Sequence, residues 1–239
     1  MGRSTLTFRP PWWATAALFA AGSLFVAAGF WQLDRADQKR ALFSEYALGG
    51  EGRVLRSLAQ IDSAEELRFQ LIELRGQYLS GRQILLDNML HEGKPGYQVL
   101  TPLVTAEGTV LVNRGWLAAS ADRRQLPDVS VDGGERLINA RIDRLPRPGI
   151  RLAASAAAPD SPWPRRLLYP TAAEIAAQLD TRLPDFQLLL SPDQSDGYLR
   201  DWRPVVMGPD THFGYAVQWF AFTVAIAVIY LLLNVKRTA

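Results

Sequence analysis

The stretch WWATAALFAAGSLFVAAGFWQL, residues 12–33, decides the architecture of this chain, and FGYAVQWFAFTVAIAVIYLLLNV, residues 213–235, repeats its message near the other end. Neither contains a charged side chain. A hydrocarbon core of roughly 30 Å takes about 20 apolar residues at a helical rise of about 1.5 Å each. Both stretches meet that length, and almost all polar sequence lies between them. The expectation is a membrane protein with two transmembrane α-helices flanking one extramembrane domain. Its parts are a tail over 1–11, a helix over 12–33, a domain over 34–211, a helix over 212–235 with His212 at its head, and a tail over 236–239.

The basic balance of the whole chain comes from the ends. Arg3, Arg9, Lys236 and Arg237 lie outside 34–211 and no acid does, so 26 basic residues less these four leaves 22 against 24 acids, a net of −2 for the domain. A domain with that balance offers no footprint for nucleic acid. Cysteine is absent, which removes structural disulfides, thiolate metal sites and a cysteine nucleophile.

Two spans place both termini on one side, and basic tails without acids suit the cytoplasm. The first apolar stretch is longer than the roughly 7–15 residues of a signal-peptide core, which argues against cleavage. The few residues before it are too short for an organelle presequence. The expected location is therefore a bacterial inner membrane, with cytoplasmic termini and a periplasmic domain. Ala17, Ala21 and Ala28 on one helix, with Ala221 and Ala225 on the other, are small enough to let the helices approach closely.

The middle reads as an antiparallel β-rich α+β domain. Alternating β-compatible runs predict strands over 69–79, 83–90, 97–103, 110–116 and 136–143, with weaker ones over 165–169, 186–190 and 204–207. Short connectors such as Ser80-Gly81-Arg82 predict that consecutive strands are antiparallel neighbours. The Pro- and Ala-rich segment 146–164 reads as an exposed excursion. Thr171-Ala172-Ala173-Glu174 matches a capping box and predicts a helix running to Leu179. Residues 34–46 are expected to continue the first helix beyond the bilayer.

Signatures of enzymes are missing: there is no nucleophile elbow, no zinc-protease pair of histidines, no phosphate loop and no dinucleotide fingerprint. This favours binding or assembly over catalysis. Asp87 and Glu92 read as solvated turn residues, and Arg114-Gly115-Trp116 as structural packing. Only two histidines occur. His91 reads as a solvent-facing turn residue. His212 stands at a membrane boundary, where a neutral imidazole can offer an axial bond to haem iron and apolar walls suit a porphyrin. Tyr215 and Trp219 follow it at helical spacing. If the two spans are antiparallel neighbours, Phe30, Trp31, Gln32 and Leu33 lie at the same depth. Interfacial anchoring, with a histidine tolerated at the helix end, is the simpler reading of the same residues on their chemistry alone.

Five segments in order complete the pattern: Gly29-Phe30-Trp31-Gln32-Leu33-Asp34-Arg35; Gly76-Gln77-Tyr78 with Leu85-Leu86-Asp87-Asn88; Gly96-Tyr97-Gln98-Val99-Leu100-Thr101-Pro102-Leu103; Val110-Leu111-Val112-Asn113-Arg114-Gly115-Trp116; and His212-Phe213-Gly214-Tyr215-Ala216-Val217-Gln218-Trp219-Phe220. On these, over nearly its whole length, the chain resembles the surfeit locus protein one (Shy-type) family of cytochrome c oxidase assembly factors. Asp210-Thr211 differs from the Asn-containing versions common there. The resemblance implies a non-enzymatic role in building the haem a-containing catalytic subunit (subunit I), with haem a as transient cargo. It also implies His212 as axial ligand to the haem iron. Around that ligand, Trp31, Tyr215 and Trp219 are expected as walls and Arg35 as partner to a propionate. The expected partners are subunit I, membrane lipid and haem a synthase. The alternative is a scaffold that stabilises an oxidase intermediate through protein contacts and never holds haem.

Overall fold

The two apolar stretches become the two long helices. The structure, a computed structural model, describes residues 5–148, 157–158, 161–204 and 207–238. Strand β1 (Thr5–Phe8) precedes helix α1 (Trp12–Gly49). The domain then runs through β2 (Leu71–Tyr78), β3 (Ile84–His91), β4 (Lys94–Thr105), β5 (Gly108–Ala118), β6 (Glu135–Asp143), β7 (Arg165–Leu167), α2 (Ala172–Leu179) and β8 (Gln187–Leu190). Helix α3 (Pro209–Asn234) and β9 (Val235–Thr238) close the chain. Two compact units result: 1–44 with 204–239, and 45–203.

In the first unit, α1 and α3 are long and apolar enough to cross a membrane. Helix α1 continues well past Leu33, as the charged, alanine-bearing run 34–46 predicts. Thr15 meets Tyr230 at 2.7 Å, Phe25 meets Trp219 at 5.5 Å between ring centroids, and Gln32 meets His212. Numbers rise on one helix as they fall on the other, so the pair is antiparallel. Small residues recur at sevens along α1, where Thr15, Gly22 and Gly29 face Tyr230, Ile226 and Phe220 of α3. The same spacing on α1 reaches the buried Ala36, as it links Ala216, Thr223 and Tyr230 on α3. A seven-residue period keeps one seam of a helix turned toward its neighbour. Gly29, Ala36 and Ala216 are buried in it, whereas Ala17, Ala221 and Ala225 are exposed. Of the alanines expected to carry the approach, Ala21 and Ala28 are half-buried, and the three exposed ones lie off this small-residue stripe. Beyond the helices, β1 and β9 pair antiparallel from Thr5↔Thr238 to Phe8↔Val235.

In the second unit, five strands close into a barrel in the order β2-β6-β8-β5-β4, with β4 returning to β2. Every one of them sends apolar side chains into one core, among them Ile72, Leu74 and Tyr78 of β2, Leu103 of β4, Val110 and Val112 of β5, Ile138 and Ile142 of β6, and Leu188 of β8. The period of two along each strand sorts these inward. Strands β3 and β7 extend the sheet from β4, and α2 packs Ala172 and Ile175 against Ile84, Leu86, Leu100, Leu111 and Leu167 there. The capping box at Thr171 and Glu174 forms as expected.

Two expectations about this sheet change. Ser80-Gly81-Arg82 does not join neighbours: β3 pairs with residues 94–100 of β4, and β2 with Val104 and Leu103 at its far end. A strand as long as β4 serves both partners in succession, and the turn passes the chain from one to the other. Nor is the sheet wholly antiparallel, because β7 runs parallel to β3 and β8 parallel to β5. Both follow long connections, which parallel pairing requires. Of the strand expected over 204–207, residues 205–206 lie outside the described ones, and Pro204 and Met207 are not in a strand. Much of the 146–164 excursion also lies outside them.

Candidate functional site

His212 sits in the first turn of α3. Pro209 opens that helix, where its missing N–H costs nothing, and Asp210 complements the positive end of the helix dipole. Four residues before Ala216, His212 occupies a seam position of α3, and Gln32, three after Gly29, occupies one on α1. Their side chains meet: His212 Nδ1 lies 2.8 Å from Gln32 Oε1. With the amide oxygen accepting, Nδ1 carries a proton, and in the neutral imidazole Nε2 then keeps its lone pair. This is the arrangement in which imidazole can serve as a metal ligand, its outer nitrogen oriented by a hydrogen bond to the other.

The neighbouring residues divide into two groups. Trp31, Phe30, Phe213 and Tyr215 are exposed on the first unit, roughly half of each side chain being accessible. Arg35 lies over the Trp31 ring at 5.7 Å and donates to Gln38 Oε1 at 2.8 Å. Trp219 instead packs into the hairpin against Phe25 and Phe222. Seven residues on from His212, it lies about 10 Å further along the helix. The structure therefore brings His212 together with Gln32, and Trp31 with Arg35. It puts Trp219 in the helix contact and leaves Tyr215 exposed. Gln32 is the partner that residue-type reasoning left out of the site. The recurrence of small residues every seven positions on α1, at Thr15, Gly22 and Gly29, is the signal that finds it.

The motif residues of the β-domain serve its construction. A bulge displaces the β4–β5 register between Gln98 and Leu100, opposite Asn113 to Trp116. Gly115 takes φ +114 at that bulge. Asn113 donates to Gln98 Oε1 and Gln187 Oε1, both at 3.0 Å, and accepts from the Gly115 N–H. Arg114 is buried, donating to the carbonyls of Asp196 at 2.7 Å and Val129 at 2.9 Å, beneath the rings of Tyr78 and Tyr198. Trp116 Nε1 reaches the Met89 carbonyl. This packing role is the one expected of the trio. His91 departs from expectation, for its ring lies against Trp116 at 5.2 Å between centroids. Asp87 does too: it is largely buried and pairs with Arg123 and Arg166. Burial pushes the Tyr78 hydroxyl up to about 12, against the lowering pull of Arg114. No cluster of three metal-ligating side chains occurs among the described residues.

The profile of the SURF1 family matches residues 19–224, a span that holds all five motif segments. A SURF1-like protein of Rickettsia felis is 24% identical over 224 residues, covering 88% of this chain and 92% of that one. An uncharacterised SURF1-like protein of Mycobacterium bovis is 26% identical over 234 residues, covering 93% and 83% respectively. A SURF1-like protein of Rickettsia conorii is 29% identical over 104 residues, 42% of each chain.

Proposed function

Because this chain belongs to the SURF1 family, a family of assembly factors whose membership suggests a role in cytochrome oxidase assembly, we propose that it receives haem a at the membrane surface and presents it to oxidase subunit I. The observation that carries the reading is the His212–Gln32 hydrogen bond, which holds the imidazole by Nδ1 and leaves Nε2 for the iron. Exposed Trp31 and Tyr215 would flank the macrocycle with apolar surface, and Arg35 would meet a propionate with its planar fork. Trp219, packed against Phe25, would act by fixing the helix rather than by touching cargo. A single histidine suits a carrier, since cargo must leave faster than the oxidase is assembled. In this reading the helices span a bacterial inner membrane, the termini are cytoplasmic and the β-domain is periplasmic, with haem a synthase as the donor.

The test is spectroscopic. Co-expressed with a haem a pathway and purified in mild detergent, the protein is expected to carry haem a in stoichiometric amount. His212→Ala should lose or shift that spectrum. Gln32→Leu should keep the ligand but bind about tenfold or more weakly, as loss of an orienting partner does at metal sites. A colourless wild-type protein from membranes that contain haem a would favour the protein scaffold instead.

A further inference from the structure

Arginines converge on a second place, in the β-domain. A cavity of about 320 Å³ opens beside β7, lined by Arg123, Arg124, Arg165 and Arg166 together with Leu126 and Ser161. One carboxylate organises two of these cations. Asp87 binds the Arg123 Nη2 and the Asn88 N–H through Oδ1, and faces Arg166 Nε at 3.5 Å through Oδ2. Arg166 Nη1 also donates to the Arg123 carbonyl at 3.0 Å, so the Arg166 side chain is fixed to the main chain of Arg123. Arg165 is held by Ser161 and lies over the Trp163 ring. Arg124 stands at the rim beside Asp122, largely exposed.

The triad of Arg123, Asp87 and Arg166 retains one positive charge after its internal pairing. Arg123 itself is anchored, its guanidinium lying over the Tyr97 ring at 4.9 Å, so the charge open to the cavity belongs to its neighbours. A guanidinium stays charged at any ordinary pH. That excess of charge has one remedy, an anionic oxygen brought into the cavity beside Arg124, Arg165 and Arg166. The forks come from separate residues of the 123–124 segment and of β7, which suits a tetrahedral group with several oxygens better than a flat carboxylate. We propose that this cavity binds a phosphate group, either as the free anion or as a lipid headgroup. The proposal is independent of haem binding.

Titrating the full-length protein in neutral detergent with inorganic phosphate, at constant ionic strength, tests it by calorimetry. Saturable binding is expected, weakened about tenfold or more in Arg166→Gln, the cost of one charge-assisted hydrogen bond. Arg75→Gln removes a cation paired with Glu135 elsewhere on the barrel and should change nothing. If Arg166→Gln loses its near-ultraviolet circular dichroism, Arg124→Gln at the exposed rim replaces it, with a smaller loss expected. In nanodiscs, a phosphate response abolished by phosphatidic acid but kept in phosphatidylcholine identifies the headgroup as ligand. Equal responses in both identify the free anion. Absence of saturable binding in detergent and in nanodiscs, or an equal loss in Arg75→Gln, overturns the proposal.

Discussion

The helix hairpin and the β-domain both depend on glycine at close contacts, but the atoms that press on the glycine differ. At Gly29 in α1, an added Cβ would come within 2.6 Å of the Phe220 ring, a side chain that can turn away. At Gly76 it would meet the Val104 carbonyl at 2.6 Å, where β2 and β4 close the barrel. At Gly115 it would meet the Leu199 carbonyl at 2.7 Å, with a backbone φ that side chains disfavour. A ladder carbonyl cannot retreat without breaking the pairing that holds it. The hairpin is thus a contact between side chains that can be retuned, while the barrel is closed through its peptide groups and tolerates no insertion at its seams.

The largest effect that follows is in the barrel. Gly115→Ala combines a carbonyl clash with a strained φ and should cost on the order of 3 kcal/mol or more. For a domain of this size each kcal/mol moves the melting temperature by about 2–4 °C. A thermal melt in detergent should therefore fall by roughly 6–12 °C, with loss of near-ultraviolet signal at lower denaturant. A fall below about 2 °C would mean that the bulge yields easily, and the contrast with the hairpin would collapse.

This contrast also explains what was legible in the sequence. The apolar stretches, the capping box at Thr171 and the five long strands each carry a local signal, because period and turn chemistry act over a few residues. Barrel closure does not: it depends on β4 being long enough to serve β3 and then β2, a fact about which strands meet. The short strands β7 and β8 carry weak local signals over 165–169 and 186–190, but their parallel pairing escapes for the same reason, their partners lying far away in sequence. At the candidate site, His212 stood out by residue type and position. Gln32 did not, since an amide within an apolar helix has no meaning until the opposing seam is known. Asp87 reads as solvated because it stands beside a turn, and only the fold brings Arg123 and Arg166 to it.

A subtler effect separates the two regions by pH. Tyr78 points into the barrel with no partner for its hydroxyl, and its pKa is raised to about 12. Below pH about 10 the tyrosine is neutral in both folded and unfolded chains, so its contribution is fully present. Between about 10 and 12 the unfolded chain gives up this proton while the folded chain keeps it. The unfolded state then binds fewer protons, and stability falls by about 1.4 kcal/mol per pH unit. Tyr78→Phe should leave stability at neutral pH nearly unchanged and flatten this alkaline slope, as read from urea midpoints between pH 9 and 11. An unaltered slope would mean that burial in the folded chain does not raise the Tyr78 hydroxyl after all.

The smallest effect is expected at Gly29, and it sharpens the comparison most. Alanine in a helix interior is favoured over glycine by about 1 kcal/mol, which opposes the cost of turning the Phe220 ring aside. That ring also sits edge-on to Phe30 at 5.5 Å, so its rotation disturbs one aromatic contact, worth about 0.5–1.5 kcal/mol. The two terms nearly cancel, and Gly29→Ala should melt within a few degrees of wild type. Its consequence should be geometric instead, because Gly29 and Gln32 occupy successive seam positions on α1. Opening the seam at Gly29 should lengthen the Gln32–His212 hydrogen bond, visible as a changed histidine ring-nitrogen shift in nuclear magnetic resonance of selectively labelled protein. A stable variant with an altered His212 signal supports a tunable hairpin. A variant that fails to fold would show that Gly29, like Gly115, is pinned by something that cannot move.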